Sequence, residues 1–216
     1  MRRQEDRRTR RQDNGLRQYF TRILSGILVL LPSLLFLSCT ADNEFSTWPC
    51  RFAYDNSIGQ DATLATAMDA NSRGVFCQIT ESVQGGVKYL NFSNNQGLTS
   101  SKRETALEQQ ANFVLGLNNG IIIGWQTFVT DGFGAGFAAY DVQCPNCVRR
   151  ENNTISPNYR ITMSSNGIAT CSKCGLKYDL NNGGIVQNGQ QGDTGLEKYA
   201  AATTGAYGYI SVFRKQ

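Results

Sequence analysis

The sequence predicts an all-β domain, because short apolar and β-branched runs recur along it and turns rich in Gly and Asn separate those runs. Helix signals are confined to one or two short segments. Residues 75–79 and 87–92 form strands around Gly85-Gly86. Residues 113–117 and 121–125 are apolar runs on either side of Asn118-Asn119-Gly120, the pattern of an Asn-Gly hairpin. Residues 136–142 make a strand that runs straight into Cys144. Residues 159–163 and 168–170 flank a Ser164-Ser165-Asn166-Gly167 turn and deliver Cys171. A strand at 178–180, a turn over 181–184 and a final strand at 208–213 complete the set. Asp61 is placed to cap a short helix over 61–68, and Ser101 and Glu104 match a capping box opening a helix over 102–110. Together these elements predict a sandwich or small barrel.

The formal charge of +4 belongs to the N-terminus. Up to Arg22 there are eight Arg and three acidic residues. The remainder holds 13 of the 21 basic and 14 of the 17 acidic residues, a balance of −1. The body of the chain therefore lacks the basic footprint that nucleic-acid binding requires. The chain has no His, which removes the commonest general base and every His-containing metal site. Gly132, Gly134 and Gly136 lack the Lys-Ser/Thr that ends a phosphate-binding loop. No catalytic constellation is found, and the expectation is a non-enzymatic protein.

Residues 23–37 are fifteen uncharged residues behind an Arg-rich stretch, the length of a signal-peptide core and short for a membrane span. The run ends in Phe36-Leu37-Ser38-Cys39, which resembles a lipobox, with Phe36 where Leu is usual. An uncleaved anchor helix with an incidental Cys39 is the alternative. The expected organisation is a lipoprotein signal peptide over 1–38, a lipidated acidic tether over 39–47 and a single domain over 48–216. General secretion is favoured over twin-arginine export despite the Arg pairs, because Asp13 and Asn14 follow the last pair. The expected location is the cell envelope, with Cys39 holding the domain to a membrane.

Cys144-Pro145-Asn146-Cys147 and Cys171-Ser172-Lys173-Cys174 are two C-x-x-C units with 23 residues between them. Each unit turns two sulfurs toward one point, so the pair offers four thiolates to a zinc ion, a mononuclear iron or an iron–sulfur cluster. Two disulfides are the alternative in an oxidising compartment. A redox dithiol is a third reading, disfavoured because that motif opens a helix and strands are expected here. Cys50 and Cys77 lack ligand spacing and suit either a structural disulfide or two buried free thiols. Trp48, Trp125, Tyr207 and Tyr209 could line a binding surface, although at strand spacing core or half-buried positions suit them better.

At Asn119-Gly120-Ile121-Ile122-Ile123-Gly124, Phe137-Ala138-Ala139-Tyr140-Asp141 and Cys144, the chain resembles the approach to the first ligand loop of Rieske-type domains. Cys171-Ser172-Lys173-Cys174-Gly175 and the following Tyr178-Asp179-Leu180 are similar to the second loop. The resemblance covers roughly residues 113–213. It implies Rieske-like stacked antiparallel sheets with two ligand-loop hairpins and, in that family, a [2Fe–2S] cluster that transfers single electrons. The ligand positions depart from the family: Cys174 stands where a His would be, and Asn146 stands at the other His position, followed by Cys147. A Cys₄ site without imidazole lacks the high potential of a Rieske centre. The resulting expectation is structural zinc in a binding or scaffold module. The alternative is an electron carrier with mononuclear or [2Fe–2S] iron and a donor or acceptor partner.

Overall fold

The computed structural model describes residues 45–128 and 136–214. The Arg-rich segment, the apolar run, Cys39, Gly132 and Gly134 lie outside the described residues. The described chain is all-β, with twelve strands in two antiparallel sheets and a few short helices. In order the elements are β1 (Arg51–Asp55), α1 (Asn56–Gly59), α2 (Ala62–Met68), β2 (Phe76–Gln84), β3 (Val87–Asn94), β4 (Thr99–Arg103), α3 (Ala106–Ala111), β5 (Ile121–Trp125) and β6 (Phe137–Asp141). Then come α4 (Pro145–Arg150), β7 (Ile161–Met163), β8 (Ile168–Cys171), β9 (Lys177–Asp179), β10 (Ile185–Val186), β11 (Lys198–Thr203) and β12 (Tyr209–Phe213). The large sheet runs β1-β12-β11-β6-β5-β2-β3-β4, and the small one β10-β9-β8-β7. No helix among the described residues is long and apolar enough to cross a membrane.

The centre of the large sheet has apolar layers on both faces. On β5 and β6, Ile121, Ile123, Phe137 and Ala139 face one core, built with Phe52, Tyr54, Leu64, Met68, Ile79 and Phe92. The alternate residues Ile122, Ala138 and Tyr140 face a second core, which holds Phe76, Ile161, Tyr178 and three of the site cysteines. Successive strand residues point to opposite faces, so a strand with core on both sides must be apolar throughout. The unbroken Ile121-Ile122-Ile123 run has this cause. Gly124 completes the strand because a Cβ there would lie 2.4 Å from the Val75 carbonyl oxygen across the β2–β5 pair.

Several sequence expectations hold in detail. β2 and β3 pair around Gly85-Gly86, β7 and β8 pair around 164–167, and Asp61 caps α2 by accepting from the Leu64 amide at 2.9 Å. Two expectations are corrected. Ser101 and Glu104 do not open a helix: residues 99–103 are β4, and the capping box is Thr105 with Glu108, opening α3. Both sites fit the same pattern, but the earlier residues gain a full set of antiparallel pairs with β3. Residues 113–117 do not form a hairpin with 121–125. They contribute one bridge, Val114 to Arg51, and β5 pairs instead with β2 and β6. Asn119 holds the loop differently, accepting from the Glu81 amide at 2.9 Å and donating to the Glu81 carbonyl at 2.7 Å. Helices α1 and α4 are additional to the one or two expected.

Candidate metal centre

Strand β6 and the loop after it set the first ligand turn. Asp141, fully buried at the end of β6, accepts from the Tyr199 hydroxyl, the Leu117 amide and the Gln143 amide, each at 2.6 Å. Burial raises its pKa to about 6, against the pull of those three donors. Cys144 then caps α4 with Pro145 in the first turn, where a missing N–H leaves no hydrogen bond unmade. Cys147 follows three residues later on the same helical face. The first turn is therefore a helix start, and the expectation that strands surround both motifs is corrected for this one.

The second turn is a strand end. Cys171 closes β8, the Cys171 amide donates to Leu176 O at 3.0 Å, and the Gly175 amide donates back to Cys171 O at 2.9 Å. Gly175 has φ +73°, a left-handed conformation that suits glycine. Tight closure brings Cys174 Sγ within 4.8 Å of Cys171 Sγ.

The four Sγ atoms of Cys144, Cys147, Cys171 and Cys174 all lie within 4.8 Å of one another. Cys144 Sγ is 3.6 Å from Cys174 Sγ, and Cys147 Sγ is 3.7 Å from Cys171 Sγ. All four are free thiols, and the sulfurs in these two contacts lie well beyond the roughly 2.05 Å of a disulfide bond. Cys144, Cys147 and Cys171 are buried, and Cys174 is half-buried. This set can hold a metal ion.

The surrounding hydrogen bonds are directional. Asn146 Nδ2 donates to the Tyr178 hydroxyl oxygen at 3.0 Å, and that hydroxyl lies 2.9 Å from Cys144 Sγ, where it donates once the sulfur is a thiolate. Asn146 is also fixed by the Thr194 backbone, donating to its carbonyl at 2.8 Å and accepting from its amide at 3.0 Å. The neighbouring Cys171 thiol and burial push the Cys144 thiol well above its ordinary range. Burial first, then the neighbouring thiols, push Cys147 up as well. Raised thiols are the reverse of the depressed ones that make a redox dithiol reactive.

The sequence expectations at other residues divide. Cys50 and Cys77 are not bridged; both are buried free thiols in the first core. Cys50 Sγ donates to Val212 O at 3.8 Å and Cys77 Sγ to Gln78 O at 3.6 Å, and four strands separate β1 from β2 along the sheet. A disulfide needs Cα atoms within roughly 7 Å, which that placement does not favour. Trp48 packs against both cores, and Trp125 packs on the first while its indole donates to Met68 O at 3.0 Å. Tyr207 and Tyr209 are exposed. The four aromatics do not converge. The sequence reading missed Tyr178 and Asn146 as partners of the sulfurs; the tyrosine four residues past Cys174 was the available signal.

Compared with known proteins, the chain matches no family model, no curated protein and no solved structure.

Proposed function

We propose that the chain is an exported, lipid-anchored domain of Rieske-like descent whose four cysteines bind a single structural zinc ion. The observation that carries the metal reading is the compactness of the sulfurs. A tetrahedral ion with metal–sulfur bonds of about 2.3 Å sets its ligands about 3.8 Å apart, beside the 3.6 and 3.7 Å contacts here. A two-iron cluster places sulfides between its irons and holds its thiolate pairs further apart. Zinc suits the structural role because the site ties α4 to the β8–β9 turn in the middle of the second core. Such sites contribute on the order of 10 kcal/mol at neutral pH. The Rieske-like reading rests on the sequence resemblance, supported by the small sheet that carries the second ligand turn. Lipidation at Cys39 and placement in the cell envelope rest on the signal-like N-terminus, and the role is binding or scaffolding rather than catalysis.

Mononuclear iron in the same four sulfurs, serving electron transfer with a protein donor or acceptor, is the second reading. The half-buried Cys174 favours it, because electrons pass most readily through a ligand near the surface. Elemental analysis and an absorption spectrum of protein purified with and without oxygen decide the case. One zinc per chain and no colour are expected. Iron with charge-transfer bands replaces zinc by the carrier, and protein holding no metal defeats both. Cys171→Ser should release the metal and lower the thermal midpoint; an unchanged midpoint refutes the structural role.

A further inference from the structure

Beside the cysteines lies a cleft of about 300 Å³, lined by Asn146, Arg149, Arg150, Gly192 and Asp193. Its charges are unequal. Arg150 pairs with Asp193, and the other Asp193 oxygen accepts from the Gln190 amide at 2.9 Å, so each oxygen of that carboxylate has a partner other than Arg149. Arg149 has only a neutral partner, donating to Asn146 Oδ1. The ion pairs among the described residues are Lys88–Glu81 and Arg150–Asp193, which leaves Arg149 facing the cleft with no carboxylate against it. Glu151, the next residue along, is exposed and joins neither arginine. Gly192 leaves its side of the cleft open, because a Cβ there would meet nothing within 4 Å.

A guanidinium has five N–H donors in a planar fork that matches the oxygens of a carboxylate or phosphate. Arg149 spends one of its nitrogens on Asn146 and keeps the rest of that fork for the cleft. Asn146 is also the first link of a chain into the cysteine site. Its Nδ2 holds the Tyr178 hydroxyl at 3.0 Å, and that hydroxyl reaches Cys144 Sγ at 2.9 Å.

We propose that this cleft is an oxyanion subsite in which Arg149 receives a carboxylate or phosphate group, and that its occupancy is transmitted to Cys144 through Asn146 and Tyr178. The transmitted effect rests on the metal reading; the binding does not. An anion draws the guanidinium away from Asn146 Oδ1. Asn146 stays held by Thr194 but loses the charged donor at Oδ1, so its Nδ2–H is less polarised and the hydrogen bonds onward to Tyr178 and the sulfur weaken. The same chemistry is offered by a free metabolite anion and by an acidic side chain of a protein partner.

The test uses the purified full chain loaded with cobalt(II), whose tetrahedral thiolate bands report on the sulfurs. Inorganic phosphate, citrate and a Glu-rich peptide are titrated in turn, by calorimetry and by absorption. At least one should bind and shift the cobalt bands. Arg149→Ala should weaken binding about tenfold or more, the loss of one charge-assisted contact, and Arg149→Lys should restore part of it. Tyr178→Phe, kept at saturating cobalt, should still bind the anion and lose the spectral response; bands that shift as in the wild type overturn the transmission. Tighter binding of the peptide identifies a partner's side chain as the source; tighter binding of phosphate or citrate identifies a free anion. No binding by any probe, binding unaffected by Arg149→Ala, or binding that leaves the wild-type bands unmoved overturns the proposal. Failure to take up cobalt counts against the metal reading alone, and the calorimetry still decides the cleft.

Discussion

Tyr178→Phe separates the cysteine site's chemistry from its architecture. The ring is fully buried in the second core, and phenylalanine keeps its volume, so packing is preserved. What leaves is one hydroxyl that accepts from Asn146 at 3.0 Å and lies 2.9 Å from Cys144 Sγ, to which it donates when that sulfur is a metal-bound thiolate. Asn146 keeps its two contacts with Thr194, and its second Nδ2 hydrogen loses its acceptor. The cost therefore divides between stability, through that buried N–H, and the sulfur. A hydrogen bond to a charged group contributes about 1.5–3 kcal/mol, and partners of metal ligands are worth about 10–100-fold in metal affinity. We expect zinc affinity, measured by competition with a chromophoric chelator, to fall within that range. Tyr140→Phe is the control: its hydroxyl lies in the same core and accepts from Gln126 at 2.7 Å. It should cost stability and leave zinc affinity unchanged. Equal affinities for wild type and Tyr178→Phe would refute the role given to the hydroxyl, and equal losses in both variants would reduce it to packing.

Three further outcomes follow from other residues. Gly124→Ala should destabilise the domain by about 2 kcal/mol or more in urea unfolding, because the new methyl meets the Val75 carbonyl at 2.4 Å and backbone there cannot give way cheaply. Ile122→Ala, which empties a fully buried site under the second core, should cost about 2–5 kcal/mol and lower the thermal midpoint of the metal-loaded protein. Glu104 is buried with neither carboxylate oxygen hydrogen-bonded, and burial, with Glu81 beside it, raises it to about 7. Its folded form holds the proton more tightly than the unfolded chain does. Stability from this group is therefore full below pH 4.5, falls between 4.5 and 7, and is level above. Glu104→Gln should remove that slope and stabilise the protein at pH 8 by on the order of 1 kcal/mol; an identical pH profile would show the carboxyl to be solvated.

The strands were legible where a residue pattern meets a local turn. Gly85-Gly86 and the 164–167 turn each join strands that pair with their sequence neighbours, and pairing between neighbours leaves its mark in adjacent residues. Pairings across the chain leave none. β1 and β11 went unread, and the partner of 121–125 was misassigned, because β-sheet neighbours at long range are chosen by packing against both cores rather than by the loop between them. The helix start at 99–108 was misplaced because two sites fit one capping pattern, and only the ladder with β3 decides between them. At the cysteine site the gathering of Cys144, Cys147, Cys171 and Cys174 was visible from spacing alone. The helical start of the first turn was hidden by its length, since six residues carry too little periodicity to register.

The pairing of Arg51 with Phe213 joins the first strand to the last. Most of the described chain lies between them, so the large sheet cannot close until its C-terminal strand is available, and that closure carries the greatest loop entropy in the fold. Local meanders are cheaper to form: β2-β3-β4 on one side and β7-β8-β9-β10 on the other, the latter already presenting Cys171 and Cys174. This topology predicts slow folding for the domain's size, with the two meanders forming before the β1-β12-β11 edge, an order that stopped-flow refolding of edge and meander variants would check. A C-terminal truncation that removes β12 would leave β1 and β11 without their shared partner while sparing all four cysteines.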